Sequence, residues 1–154
     1  AARDKVLLVT VQSSAETTTD TAARFALFIT GRHANVQSLS ISENPGSSAR
    51  NTVRTAAESA AVVIIATAHA DSYSGQSTLV NQLVALSKPV IAVGLREPYE
   101  FAAIPGVTAY LAAYNYWNCG FAAAADAIFG VVNPSGLLPV TIPGLYAFGH
   151  GLSY

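Results

Sequence analysis

Residues Ala61–Thr67 read A-V-V-I-I-A-T. No charge interrupts the run, and Val62, Val63, Ile64 and Ile65 are all β-branched. That is the pattern of a strand buried on both faces, which needs helices above and below it. Val6–Val11 (V-L-L-V-T-V) and Val90–Leu95 repeat the pattern on either side. Three such runs in one chain point to a largely parallel sheet.

The segments between the runs have helical spacing. Thr21–Thr30 places Ala22, Phe25, Ala26, Phe28 and Ile29 on one stripe, and Gly31 follows as a stop. Polar, Thr-rich Ser13–Asp20 precedes it as a loop able to cap the helix. Asn51–Ala60 aligns Val53, Ala56, Ala57 and Ala60, and Ser77–Ser87 aligns Leu79, Val80, Leu83 and Leu86. Trp117–Phe129 is an Ala-rich helix closed by Gly130. Val36–Ile41 alternates polar and apolar residues, as an edge strand does. Glu43–Ser48 reads as a turn, Glu97–Ala103 as a short helical turn, Val107–Ala113 as a further strand and Leu137–Ile142 as a last extended segment. Alternating strands and helices predict an α/β fold: a three-layer α/β/α sandwich around a mostly parallel sheet of five or six strands. No repeat or linker divides residues 1–154, so a single domain is expected.

Composition narrows the function. Of 154 residues, 51% are hydrophobic and 11% charged, which argues for a packed core and against disorder. A net charge of -1 carries no basic footprint, so nucleic acid is not an expected partner. No apolar run approaches the roughly 20 residues of a membrane span, so no membrane partner is expected either. The single cysteine, Cys119, cannot form an internal disulfide and leaves the compartment open. With no H-x-x-x-H, no clustered carboxylates and no G-x-G-x-x-G opening a helix, neither a metal nor a cofactor is expected. The chain contains no methionine, and a piece of a longer polypeptide is the expectation that follows.

Ligands of open α/β sheets meet the loops beyond the carboxyl ends of the strands. The loop after Thr67 reads A-H-A-D-S-Y-S-G. His69 and Asp71 are candidates for proton transfer, because a carboxylate can orient and support an imidazolium. A solvated loop with a surface histidine is the competing reading. Arg96 either binds a carboxylate or pairs locally with Glu97 or Glu100. Tyr114, Asn115, Trp117 and Asn118 combine ring faces with amides, the mixture of a carbohydrate site or of a domain interface, with interface burial favoured for Trp117. Cys119 is expected to be a small buried hydrophobe.

The end of the chain is the most specific signal. Asn133–Thr141 reads N-P-S-G-L-L-P-V-T, and Phe148–Tyr154 reads F-G-H-G-L-S-Y. Together they resemble the C-terminal signature of glycoside hydrolase family 3, which runs close to N-P-S-G-(R/K)-L-P-V-T, a short spacer, then F-G-H-G-L-S-Y. Asn133, Pro134, Gly136, Gly149, His150 and Gly151 carry the match, and docking of the tail is their expected role. The resemblance implies a six-stranded α/β sandwich that accompanies a sugar-cleaving barrel domain, in the same polypeptide or as a cleaved partner, and it implies a carbohydrate substrate.

Within that family, the β-glucosidase branch takes its acid/base from a Glu on a loop of this domain, commonly in a G-E pair. Here Ala68–Gln76 contains no Glu, and Asp71 is its only carboxylate. In the β-N-acetylhexosaminidase branch, nucleophile and acid/base both lie in the first domain. The stretch L-R-E-P-Y-E, Leu95–Glu100, is similar to that branch. The resemblance therefore implies a domain without its own catalytic pair. A β-glucosidase-type domain and a stand-alone carbohydrate-binding or interaction module are the alternatives.

Overall fold

The computed structural model describes residues 4–12 and 21–152. The expected capping loop Ser13–Asp20 lies outside the described residues, as do Ser153 and Tyr154. The chain forms β1 (Val6–Gln12), α1 (Thr21–Thr30), β2 (Val36–Ser42), α2 (Ser47–Glu58), β3 (Val62–Thr67), α3 (Ser74–Val84), β4 (Val90–Gly94), a 3-10 helix (Pro98–Ala103), β5 (Ala109–Ala112) and α4 (Asn118–Ile128). All strand pairs are parallel, in the order β2-β1-β3-β4-β5. The sandwich read from the sequence is correct, and the five-stranded option describes the sheet.

Alternation along the buried strands sorts the core into two layers. Val63 and Ile65 of β3 face one side, with Leu7 and Val9 of β1, and meet Val53 and Ala57 of α2 and Leu79, Val80 and Leu83 of α3. Ile64 and Ala66 face the other side, with Leu8, and meet Phe25 and Ile29 of α1 and Phe121, Ala124 and Ala125 of α4. The Phe25 and Phe121 rings stack at 5.1 Å between the two helices. Arg32, just past α1, ties the same pair together: its Nε donates to Asp126 Oδ1 at 2.9 Å.

Three sequence-based expectations are corrected. Leu137–Ile142 does not join the sheet. It pairs with the chain that follows it, through an isolated antiparallel bridge between Ile142 and Tyr146 and a bond from Leu138 N–H to His150 C=O at 2.7 Å. Helix α2 begins at Ser47, inside the expected turn, because Gly46 supplies the extended entry and Pro45 stops just outside it. Val107 and Thr108 precede β5 rather than belonging to it.

The strand order fixes where a ligand would meet the sheet. From β1 the chain moves outward to β2, then returns to place β3 on the opposite side of β1. Loops diverge at such a reversal, leaving a crevice beyond the carboxyl ends. Register aligns those ends: Thr67 pairs with Gly94, and Gly94 with Ala112. The segments after β3, β4 and β5 therefore lie side by side.

Candidate functional site

The centre of this rim is a buried carboxyl group that sequence reasoning missed. Glu100, in the 3-10 helix, is 1% exposed. Its Oε1 accepts from Thr67 Oγ1 at 2.5 Å and from the Tyr110 hydroxyl at 3.3 Å. Its Oε2 accepts from Ala70 N–H at 3.0 Å. Burial pushes the Glu100 carboxyl above the ordinary carboxylic range, while the bonds from Ala70, Thr67 and Tyr110 oppose the shift. Burial, together with the neighbouring Glu100 charge, raises the Tyr110 phenol too. One signal was legible: Glu100 is the acidic residue of an otherwise apolar P-Y-E-F-A-A turn following a buried strand.

A second buried polar side chain works from the other direction. Gln76, in the first turn of α3, is fully buried. Its amide donates to Glu43 C=O and Ala68 C=O, both at 2.7 Å, and accepts from Ala68 N–H at 3.0 Å. Between Ala68 and Ala70 stands His69, with φ of 60°. That is the left-handed region, costly for a residue with a Cβ. The His69 carbonyl closes the turn, accepting from Ser72 N–H at 3.0 Å and Tyr73 N–H at 2.8 Å.

The His69 side chain is not paired with Asp71. Its Nδ1 lies 3.0 Å from Glu97 Oε2. Asp71 is exposed, and its charge acts on the buried Glu100 instead. Glu97 reaches His69 because the β3 and β4 ends are register neighbours. Tyr73 presents its ring edge-on to the imidazole at 6.5 Å.

Beside this pair stands an aromatic stack. Arg96 holds its guanidinium 5.1 Å from the Tyr116 ring centre, rather than pairing with Glu97 or Glu100, whose oxygens meet His69 and the buried cluster. Tyr116 in turn stacks on Trp117 at 5.8 Å. Trp117 is 56% exposed, and Tyr114, at φ of 57°, is exposed as well. Asn118 opens α4 at the surface. Asn115 is different. Its amide is spent on the local backbone, accepting from Trp117 N–H at 3.1 Å and donating to Ala113 C=O at 3.2 Å. Cys119 is exposed, not the buried hydrophobe expected, because it sits on the outer side of the first turn of α4.

The signature motifs fold onto each other. Gly149 N–H donates to Leu138 C=O at 2.9 Å, and the Tyr146 and His150 rings stack at 4.2 Å. Gly149 has φ of 81°, and a Cβ on Gly151 would lie 2.5 Å from the Gly136 carbonyl. Asn133 and Pro134 lead into this turn, with Pro134 half-buried. The sequence profile described as glycosyl hydrolase family 3 C-terminal domain matches residues 4–154.

The chain belongs to the glycoside hydrolase family 3 C-terminal domains.

Solved structures of the family share this fold. A fungal multi-domain family 3 β-N-acetylglucosaminidase superposes with a TM-score of 0.84 at 26% identity, covering 98% of this chain and 17% of its own. A family 3 β-N-acetylglucosaminidase from a Paenibacillus species gives 0.84 at 18% identity, covering 92% and 28%. A β-glucosidase from Listeria innocua gives 0.76 at 18%, covering 100% and 30%. The family 3 domain described here thus spans less than a third of the length of these structures. The comparison with curated proteins gave no match. Among the described residues, no group of three or more His, Cys, Asp or Glu side chains is placed to hold a metal ion, and no helix is long and apolar enough to cross a membrane.

Proposed function

We propose that residues 1–154 form one C-terminal domain of a retaining β-glycoside hydrolase that removes terminal β-N-acetylglucosamine. The nucleophile and the acid/base belong to a barrel domain outside this stretch. One observation carries the reading: two of the rim's carboxylates, Glu100 and Glu97, already have partners within this domain. Glu100 is buried, with its oxygens accepting from Thr67, Ala70 and Tyr110. Glu97 faces His69. Retaining hydrolysis needs two carboxyl groups about 5–5.5 Å apart, one ionised for attack and one able to move a proton. That leaves Asp71 as the one uncommitted carboxylate on the loop after β3. The likeness to the fungal β-N-acetylglucosaminidase, at 26% identity, supports the branch.

The β-glucosidase reading rests on Asp71, which is exposed at the same rim. Kinetics of the complete enzyme on nitrophenyl β-N-acetylglucosaminide and nitrophenyl β-glucoside separate the two. The expected result is preference for the former, no turnover by residues 1–154 alone, and only a modest loss in Asp71→Asn. Removing an acid/base costs on the order of 10²–10⁴-fold. A loss of that size, rescued by azide, would make Asp71 the acid/base and place the chain in the β-glucosidase branch.

A further inference from the structure

We infer that Tyr146 is a positioning residue for the 3-10 helix, so that the terminal clasp and the loop after β3 open and close as one unit. The inference goes beyond the glycosidase reading and does not depend on it. Its starting point is the 3-10 helix Pro98–Ala103 itself. Six residues are long for such a helix, whose bonds are poorly aligned and whose runs seldom exceed three or four residues. This one carries Glu100, with almost no solvent contact, and so must be held from outside. Asn81 of α3 supplies one support, donating to the C=O of Ala103, the last residue of the helix, at 3.2 Å. The other support is aromatic.

Phe101 follows Glu100 in the chain, and its half-buried ring meets two tyrosines. Tyr110 of β5 stands 5.1 Å away, centre to centre, and Tyr146 of the tail 5.7 Å away. Each tyrosine is fixed by something else. Tyr146 and Ile142 exchange both backbone bonds, Ile142 is buried, and the His150 ring stacks on Tyr146 at 4.2 Å. Tyr110 has no room to retreat. Its hydroxyl fills the space that a Cβ on Gly94 would need, and it donates to Glu100 Oε1 at 3.3 Å. Glu100 Oε2 in turn accepts from Ala70 N–H at 3.0 Å. The contacts thus run without a gap from His150 and Tyr146, through Phe101 and Tyr110, to Glu100 and the backbone of the loop after β3. Close-packed groups transmit a displacement rather than absorb it. Without the Tyr146 ring, Phe101 loses a support, the 3-10 helix loosens, and Ala70 N–H is parted from its acceptor more often. The signature motifs thereby gain a task at the rim, away from the clasp they form.

The test is amide hydrogen exchange of the complete enzyme, read in the peptide spanning residues 68–73, where Ala70 N–H belongs to Glu100. Tyr146→Leu keeps an apolar side chain and removes the ring. It is expected to speed exchange there about fivefold, the worth of one aromatic pair. Phe101→Leu breaks the same contact from the other side and should give the same increase. Tyr146→Phe restores the ring and should return the rate to within about twofold of the native one, as should Phe148→Ser, which changes an exposed residue of the same motif. Coupling has to be shown by non-additivity rather than by proximity. Tyr110→Leu removes both the Phe101 contact and the hydroxyl on Glu100, so adding Tyr146→Leu to it should change the rate by less than about twofold. Faster exchange confined to the tail, faster exchange in every peptide alike, or a full effect of Tyr146→Leu on top of Tyr110→Leu would each overturn the inference.

Discussion

Replacing Glu100 by glutamine should abolish a pH dependence that the native chain carries. Glu100 is held above the ordinary carboxylic range chiefly because it has lost solvent, and the Asp71 charge adds a smaller push in the same direction. In the unfolded chain the same carboxyl titrates near pH ~4.3. Between that pH and the raised folded value, the folded chain keeps a proton that the unfolded chain has released. The stability contributed by Glu100 is therefore full below the unfolded pKa and is lost as pH rises through the folded one. Within this window the slope is about 1.4 kcal/mol per pH unit. For a chain of this size, each kcal/mol moves the melting temperature by about 2–4 °C. The substituted amide has no such titration. It also keeps the contacts: its carbonyl accepts from Ala70 N–H, and its NH₂ donates to the Thr67 and Tyr110 oxygens, whose hydroxyl protons rotate away. Denaturant unfolding of both chains from about pH 4 to about pH 8 gives the difference directly, with the other carboxylates cancelling. The variant should match the native chain at the acid end and exceed it increasingly with pH. Parallel profiles would refute the assignment of a buried, proton-holding carboxyl. A uniform loss at every pH would refute the exchange of donors and acceptors inside the cluster.

Three other substitutions probe the packing around this site and the tail. A Cβ on Gly94 would run into the Tyr110 hydroxyl and lie 2.9 Å from Glu100 Oε1, so Gly94→Ala should cost about 1–3 kcal/mol, read as a lower urea midpoint at unchanged slope. Ile142 is 2% exposed and Phe148 is 72% exposed, so Ile142→Ala should cost about 2–5 kcal/mol, whereas Phe148→Ser should stay within about 0.5 kcal/mol in thermal unfolding of residues 1–154.

That contrast also marks where the sequence was legible. Near-continuous apolar runs at β1, β3 and β4 and the helical stripes of α1, α3 and α4 announce themselves through periodicity, and each element forms there, with α3 running Ser74–Val84, three residues ahead of the expected Ser77–Ser87. The polar alternation of β2 reports its edge position. Leu137–Ile142 has the composition of a strand, yet its partners are its own neighbours, and periodicity cannot say with whom a segment pairs. Phe148 shows the same limit: an apolar ring in a turn-rich motif carries no period that says whether it is covered, and within this domain it lies at the surface. At the rim, His69 stood out from residue chemistry alone, but its partner did not. Glu97 lies beyond another helix and strand, and only the parallel register of β3 and β4 brings it to the ring. Glu100 was hidden because a buried acid looks like any other acid until Thr67, Ala70 and Tyr110 are seen to surround it.

The mutual fit of the two terminal motifs has a consequence for how such a chain can change. Gly151 is empty where the Gly136 carbonyl stands, and Leu138 both donates to His150 C=O and accepts from Gly149 N–H. The motifs are two halves of one clasp and share a single tolerance for change. A side chain added to Gly151 spoils the geometry of the N-P-S-G turn as surely as a change within that turn. The spacer turns at Pro143–Leu145, three exposed residues whose bend is held by Gly144 at φ of 75° and by Leu145 N–H on Ile142 C=O rather than by either motif. Length can be gained there without separating the halves, so inserted residues belong in the bend, while substitutions in one half call for an answering change in the other.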